Sequence, residues 1–248
     1  MPQNLVLVCA GADAARAQET GRPLLHLCLG LRPNGRLDRL TLPARQPGCY
    51  LGVSDLGLSQ TAPGTVCEQL IAECMHAQAA GLFADFERDT PPVRAFLSRL
   101  DQACHEQGLA FFLPATRAED TTHAWLLAET AVSGGSLRDY FGELRASYGA
   151  RVAAALKPVS QDFCLPSPDS AGQVLSAAER EALLARTGAQ TFFSRELCAR
   201  YFTYMDADGN GHFVLFDDET TIRAKLDLLD SIGIPYVFAL YPDVRALL

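Results

Sequence analysis

The sequence predicts an α/β fold: a compact (β/α)8 TIM barrel with a β-hairpin insertion before the last helix. Three observations predict it. Short apolar runs alternate with helical patterns almost from end to end, which implies a parallel sheet. Eight such runs occur in 248 residues, a length typical of a barrel folded as one unit (about 200–250 residues). The fourth run, Gly81-Leu82-Phe83-Ala84-Asp85-Phe86-Glu87, ends in two carboxylates on one face, because side chains at i and i+2 of a strand point the same way. Gly81, Phe83, Asp85 and Glu87 share that face, and Leu82, Ala84 and Phe86 share the other. Such a strand suits a barrel lining with chemistry at its mouth. The competing arrangement is a doubly wound open sheet. No linker, internal repeat or low-complexity tract is present, so residues 1–248 read as a single barrel domain.

The elements follow in order. Residues 5–10 are an apolar strand, followed by a short polar helix near 13–19. Residues 23–31 are the second strand, extended by a turn at Pro33-Asn34-Gly35, and 49–56 the third. Residues 65–79 place Val66, Leu70, Ile71 and Met75 at helical spacing, and 81–87 is the fourth strand. Residues 91–108 are an amphipathic helix that starts at Pro91-Pro92 and stops at Gly108. Strands at 109–115 and 124–132 precede a helix over 136–148 that Gly149 ends. The seventh strand is 152–159, helices cover 176–186 and 220–232, and the last strand is 236–241. Between 157 and 172, Pro158, Pro166 and Pro168 indicate an irregular loop.

Residues 199–205 and 212–218 break the alternation, and two readings compete for them. Asp206, Asp208, Asn210 and Gly211 stand at positions one, three, five and six of an EF-hand calcium loop, with Asp217 at twelve. The same residues suit a hairpin turn, where positive φ is needed. The flank Arg200-Tyr201-Phe202-Thr203-Tyr204 is aromatic and β-branched, as strands are, and lacks the helical period of an EF-hand. The hairpin is the better reading.

Composition narrows the function classes. The net charge is −8 and no basic run occurs, which argues against a nucleic-acid surface. No apolar stretch reaches the roughly 18 residues of a membrane span, so no membrane partner is expected. The start Met-Pro-Gln-Asn lacks the basic region of a secretory leader, which points to the cytoplasm unless a leader has been removed. The eight cysteines are dispersed, with no C-x-x-C and no zinc-ligand spacing with histidine, and read as inert thiols in a reducing compartment. No metal or other cofactor is expected. The five histidines are scattered and form no triad with a Ser or Cys. Ser133-Gly134-Gly135-Ser136 lacks the Lys-Thr of a phosphate loop.

The stretch from Arg200 to Asp243 runs from an aromatic strand through a Gly-rich turn to Phe216-Asp217-Asp218-Glu219-Thr220-Thr221-Ile222-Arg223-Ala224-Lys225, then a helix, Gly233 and a final strand. This resembles the C-terminal part of the chitinase-like glycoside hydrolases of family 18, where a hairpin leads to a (F/Y)-D-D-x-x-S-I-x-x-K helix start. Residues 81–87 are similar to that family's fourth-strand motif, D-G-x-D-x-D-x-E, and residues 23–35 to its second strand and the turn after it. The order and spacing of all three agree, and the resemblance covers nearly the whole chain.

The resemblance implies a barrel that binds or cleaves β-linked N-acetylglucosamine glycans of the chitin, peptidoglycan or N-glycan type. It implies that Glu87 protonates the leaving oxygen and that Asp85 orients the substrate's acetamido group. The carbonyl oxygen of that group is then the nucleophile, a substrate-assisted exception to the scheme with two enzyme carboxylates. Burial beside Asp85 is expected to raise the pKa of Glu87 and to couple the pair. The chain departs from the motif at Ala80 and Phe83, where acids are expected, and Phe83 is expected to pack as an apolar plug. Where the family's sixth strand carries Met-x-Tyr-Asp, this chain has Leu127-Ala128-Glu129-Thr130. Tyr241 stands nearest to the family's sugar-flooring Trp, and Trp125 is expected to be structural. Glu129, Asp55, Gln161 and Asp162, at or beyond strand ends, are further candidates to line the cleft. The alternative function is a glycan-binding barrel that has lost catalysis.

Overall fold

The computed structural model describes residues 4–9, 11–40, 47–55, 64–166 and 172–248. Ala10 and Leu56, the expected ends of the first and third strands, lie outside them. In chain order the elements are β1 (Leu5–Cys9), α1 (Ala14–Glu19), β2 (Leu24–Leu31), β3 (Leu37–Arg39), β4 (Tyr50–Ser54), α2 (Gly64–Ala77) and β5 (Gly81–Asp85). Next come α3 (Pro91–Glu106), β6 (Ala110–Pro114), β7 (Trp125–Glu129), α4 (Leu137–Tyr148), β8 (Val152–Leu156), β9 (Ser160–Leu165), β10 (Gln173–Val174) and α5 (Ala177–Thr187). The chain ends with β11 (Phe192–Ser194), β12 (Ala199–Met205), β13 (Gly211–Phe216), α6 (Glu219–Ser231), β14 (Val237–Leu240) and α7 (Tyr241–Val244).

Eight strands close a parallel barrel in the order β1-β2-β4-β5-β6-β7-β8-β14, with β14 returning to β1. They are the eight apolar runs of the sequence. Every barrel strand sends a side chain into one interior cluster: Val6, Leu25, Tyr50, Phe83, Phe112, Leu127, Ala153 and Phe238. The rings meet edge to face, Phe112 to Phe238 at 4.8 Å and Tyr50 to Phe112 at 5.4 Å. Such pairs add about 0.5–1.5 kcal/mol each beyond the area they bury. Burial, with the nearby Tyr236, pushes the Tyr50 phenol up to about 12. The opposite faces of the strands pack on the helices. Leu82 and Ala84 of β5 lie with Phe96, Leu97 and Leu100 of α3, as the i, i+2 alternation requires. Gly81 opens β5 because a Cβ there would sit 1.9 Å from the Ala110 carbonyl oxygen of β6.

The insertion is larger than a hairpin. Between β8 and β14 the chain builds an antiparallel sheet of order β10-β9-β13-β12-β11, with α5 on one face. The segment expected as an irregular loop contains β9, which pairs with β13 from Ser160 opposite Phe216 to Leu165 opposite Gly211. Pro158 and Pro166 flank the strand instead of interrupting it, so no ladder donor is lost, and Pro168 lies outside the described residues. The hairpin reading of 199–218 holds. β12 and β13 run in unbroken register from Arg200 opposite Phe216 to Met205 opposite Gly211. Asp206 spends its carboxylate inside the turn, accepting from the Asp208 and Asn210 N–H groups at 2.9 and 2.8 Å and from Asn210 Nδ2 at 2.9 Å. Hydrogen bonds from Asn210 hold its pKa down to about 2. Asp217, the twelfth calcium position, is buried against Lys225. Among the described residues no group of three acidic, His or Cys side chains could hold a metal ion.

All eight cysteines are free and seven are buried. Burial pushes the Cys28 and Cys104 thiols up to about 12, which keeps them protonated and unreactive at neutral pH. Among the described residues no helix is long and apolar enough to cross a membrane.

Candidate active site at the barrel mouth

Parallel strands bring their C-terminal ends to one mouth, and Asp85 and Glu129 each end a barrel strand there. Asp85 is the last residue of β5, opposite Ser54 of β4. Glu87 follows two residues on, and both side chains are exposed. Between them Phe86 turns the other way. It is 3% exposed and stacks on Phe96 of α3 with centroids 5.8 Å apart. One buried ring thus sets two carboxylates on the solvent side.

The pair is electrostatically crowded. The pKa of Asp85 is raised, first by desolvation in the mouth, then by the charges of Glu87 and Asp55. The burial expected around Glu87 is absent, because its side chain is exposed. Beneath Asp85, Phe83 stacks on Phe238 with centroids 6.4 Å apart. It fills the interior position where the family motif has an acid.

The remaining candidates take different places. Asp55, just beyond β4, is 8% exposed and accepts the Arg88 N–H at 3.0 Å, so its carboxylate is committed to the backbone beside Glu87. Glu129 takes Lys157 Nζ on both oxygens at 3.0 Å, an exposed pair linking the ends of β7 and β8. Gln161 lies on β9 opposite Leu215, half-buried, on the same strand face as Phe163. Asp162, on the opposite face, accepts from Tyr204 at 2.6 Å and bonds His212 Nδ1 at 2.9 Å. Tyr241 packs on the cluster between barrel and helices. The β14 residue in phase with the interior Phe238 is Leu240, 51% exposed. Trp125 stacks on Phe112 and meets Tyr236 edge to face inside the barrel.

Sequence reasoning missed Arg117. It follows β6, is 6% exposed, and donates to Asp89 Oδ1 at 2.7 Å and to the Arg88 carbonyl. Arg94 holds the same Asp89 with two bonds of 2.6 and 2.8 Å. Nothing in Ala115-Thr116-Arg117-Ala118 marks that arginine, because its targets lie 28 and 29 residues away and one is a backbone oxygen.

No protein-family model matches the sequence, and no curated protein sequence matches it. Solved structures match its fold. The spore cortex-lytic enzyme SleL of Bacillus cereus is 14% identical, with a TM-score of 0.62 over 95% of this chain and 70% of that one. A chitinase from Chromobacterium violaceum is 18% identical, with a TM-score of 0.58 over 95% and 93%. A class V chitinase from Nicotiana tobaccum is 12% identical, with a TM-score of 0.55 over 96% and 93%, and a mutant of it is solved in complex with NAG4. At these identities the shared property is the fold: the chain has a chitinase-like (β/α)8 barrel.

Proposed function

We propose that the protein is a glycoside hydrolase acting on β-linked N-acetylglucosamine glycans by a substrate-assisted, retaining mechanism. The observation that carries this reading is the placement of Asp85 and Glu87, two exposed carboxylates on one side of a barrel strand end, with a packed aromatic interior below them. The chitinase-like fold and the tobacco enzyme's complex with NAG4 support an oligosaccharide as substrate.

In this reading Glu87 gives its proton to the glycosidic oxygen as the bond breaks. The acetamido carbonyl oxygen of the substrate attacks the same carbon, and Asp85 orients that group. Water then opens the intermediate with Glu87 as base. The chemistry needs a proton at the mouth near neutral pH. Desolvation, then the charges of Glu87 and Asp55, raise the pKa of Asp85, so its carboxyl holds a proton at the mouth to higher pH than an isolated aspartate does.

Phe83 favours a second reading, a glycan-binding barrel without turnover, because it leaves Asp85 with a stacked ring beneath it in place of an acid. One assay separates the two. Wild type and Glu87→Gln are incubated with chitooligosaccharides and muropeptides, and products are followed by mass spectrometry. The hydrolase gives products that the variant forms about 10²–10⁴-fold more slowly, the usual worth of a general acid. Binding by the wild type without any product replaces the first reading with the second.

A further inference from the structure

We propose that Asp55 and Arg117 are positioning residues for Glu87, gripping the backbone of Arg88 from the strands on either side of β5; this rests on the glycosidase reading above. The need for a grip follows from the register. On one side the β5 ladder ends at Asp85 opposite Ser54, and on the other at Phe83 opposite Phe112. Residues 86–88 therefore lie beyond both ladders, and the peptide that carries Glu87 lacks strand partners to fix it.

Two buried charged side chains supply what the ladders do not. Asp55, from the end of β4, accepts the Arg88 N–H at 3.0 Å. Arg117, from beyond β6, donates Nη2 to the Arg88 carbonyl. The same guanidinium uses Nη1 on Asp89 at 2.7 Å and lies 3.9 Å from Asp120. On the other side of Glu87, Phe86 is stacked on Phe96. Glu87 is thus an exposed residue between two fixed ones.

Energetics argue against a casual arrangement. Asp55 is 8% and Arg117 6% exposed, and burying ionised groups is costly unless each is well paired. Here both reach the backbone of one residue, Arg88, holding the peptides before and after it in a segment next to the mouth. A general acid must lie within hydrogen-bond reach of the oxygen it protonates, and a misplacement of about 1 Å costs on the order of 100-fold in rate. The clamp sets that position without touching substrate.

The test is steady-state hydrolysis of an N-acetylglucosamine tetramer by wild type, Asp55→Ala, Asp55→Asn and Arg117→Lys, with thermal unfolding of each. Asp55→Ala removes the acceptor, whereas Asp55→Asn keeps an oxygen for the Arg88 N–H. Arg117→Lys keeps a cation against Asp89 and Asp120 but cannot reach both targets as a fork. The expected result is that Asp55→Ala and Arg117→Lys lower kcat about 10- to 100-fold with KM within about 2-fold. Asp55→Asn returns kcat toward wild type. If Asp55→Ala does not fold, the other two variants carry the comparison. Wild-type turnover with unchanged kcat in Arg117→Lys and in Asp55→Ala overturns the clamp alone. So does a loss in Asp55→Ala that Asp55→Asn fails to repair. No turnover by the wild type on any of these glycans removes the glycosidase reading and the clamp with it, and is recognised before any variant is made.

Discussion

Lys225 Nζ donates to Asp217 Oδ2 at 2.6 Å, and both side chains are 1% exposed. The same carboxylate accepts the Val159 N–H at 2.7 Å and the Thr221 hydroxyl at 2.8 Å, while the Asp217 N–H donates to the Val159 carbonyl at 2.8 Å. The five-stranded insertion leaves the barrel at Val159 and returns at Asp217. One buried ion pair therefore closes its stalk and seats the first turns of α6, which Asp218 caps through the Thr221 N–H at 2.9 Å.

Lys225→Met leaves Asp217 as a buried anion without its cation. Breaking one side of a buried pair costs about 3–5 kcal/mol, because the remaining charge keeps its desolvation penalty. Urea unfolding is expected to give a lower midpoint at an unchanged slope, the drop in midpoint times that slope equalling the loss. A loss under about 1 kcal/mol places the stalk's stability in its apolar contacts instead.

The insertion sheet also carries a pH-dependent contact. His212 Nδ1 bonds Asp162 at 2.9 Å and Nε2 reaches Asp206 at 3.4 Å. Desolvation lowers the histidine's pKa, but the hydrogen bonds and charges of Asp162 and then Asp206 outweigh it, and the net shift is upward. A group whose folded pKa lies above its unfolded value stabilises fully below the unfolded value, about 6.5, and loses that contribution as pH rises through the folded one. His212→Gln is expected to cost about 1.5 kcal/mol at pH 5.5, and clearly less at pH 9. Paired denaturation curves at the two pH values decide it. Equal losses at both mean the imidazole acts by packing on Tyr204, with which it stacks at 4.5 Å.

How much of this was legible in the sequence depended on whether a feature had a local signature. The eight barrel strands did, since strands buried on both faces read as continuous apolar runs. Phe83 as an interior plug was legible from the two-residue period. β9 was not, because Pro158 and Pro166 mark a loop unless one knows that they bracket a strand. Tyr241 shows how narrow the margin is. A shift of one residue at a strand end exchanges the two faces, and it is Leu240 that continues the interior phase of Phe238. Asp55 was legible as a carboxylate at a strand end. Its commitment to the Arg88 backbone, and the role of Arg117, arise from contacts across about thirty residues that no spacing announces.

Asp85 trades stability for its place at the mouth. Its folded pKa is raised above the unfolded value of 3.8, so the folded state binds the proton more tightly than the unfolded chain does. Stability then falls as pH rises from about 3.8 through the raised value, and above it the penalty is complete. Asp85→Asn removes the charge and is expected to raise Tm at pH 7 while leaving it unchanged near pH 3. The gain is small, because the side chain is exposed and water screens its neighbours. On the proposed glycosidase reading, the same variant is also expected to lose hydrolysis, since an amide cannot orient an acetamido group as a carboxylate does. A Tm that falls at pH 7 contradicts the crowding of Asp55, Asp85 and Glu87.

Phe83→Asp places here the acid found at this position of the motif that residues 81–87 resemble, and it is expected to harm the protein. The ring of Phe83 stacks on Phe238, which itself packs on Phe112 and Tyr50, so the site is shaped for an aromatic side chain. Phe83 is half-buried, so removing its ring costs less than the roughly 3–5 kcal/mol of a fully buried one. The new carboxylate would also sit below Asp85, whose pKa desolvation, and then the nearby acids, already raise. Phe83→Leu, which keeps an apolar side chain there, isolates the packing cost from the charge cost and is expected to lose about 1–2 kcal/mol. Urea unfolding of both variants at pH 5 and pH 8, together with turnover at each pH, checks the argument. Greater loss for Phe83→Asp at pH 8 than at pH 5 is expected, because ionisation of the added acid is what the aromatic interior resists. Turnover that rises in Phe83→Asp would mean instead that the interior can repack around an acid, and that Phe83 alone limits catalysis.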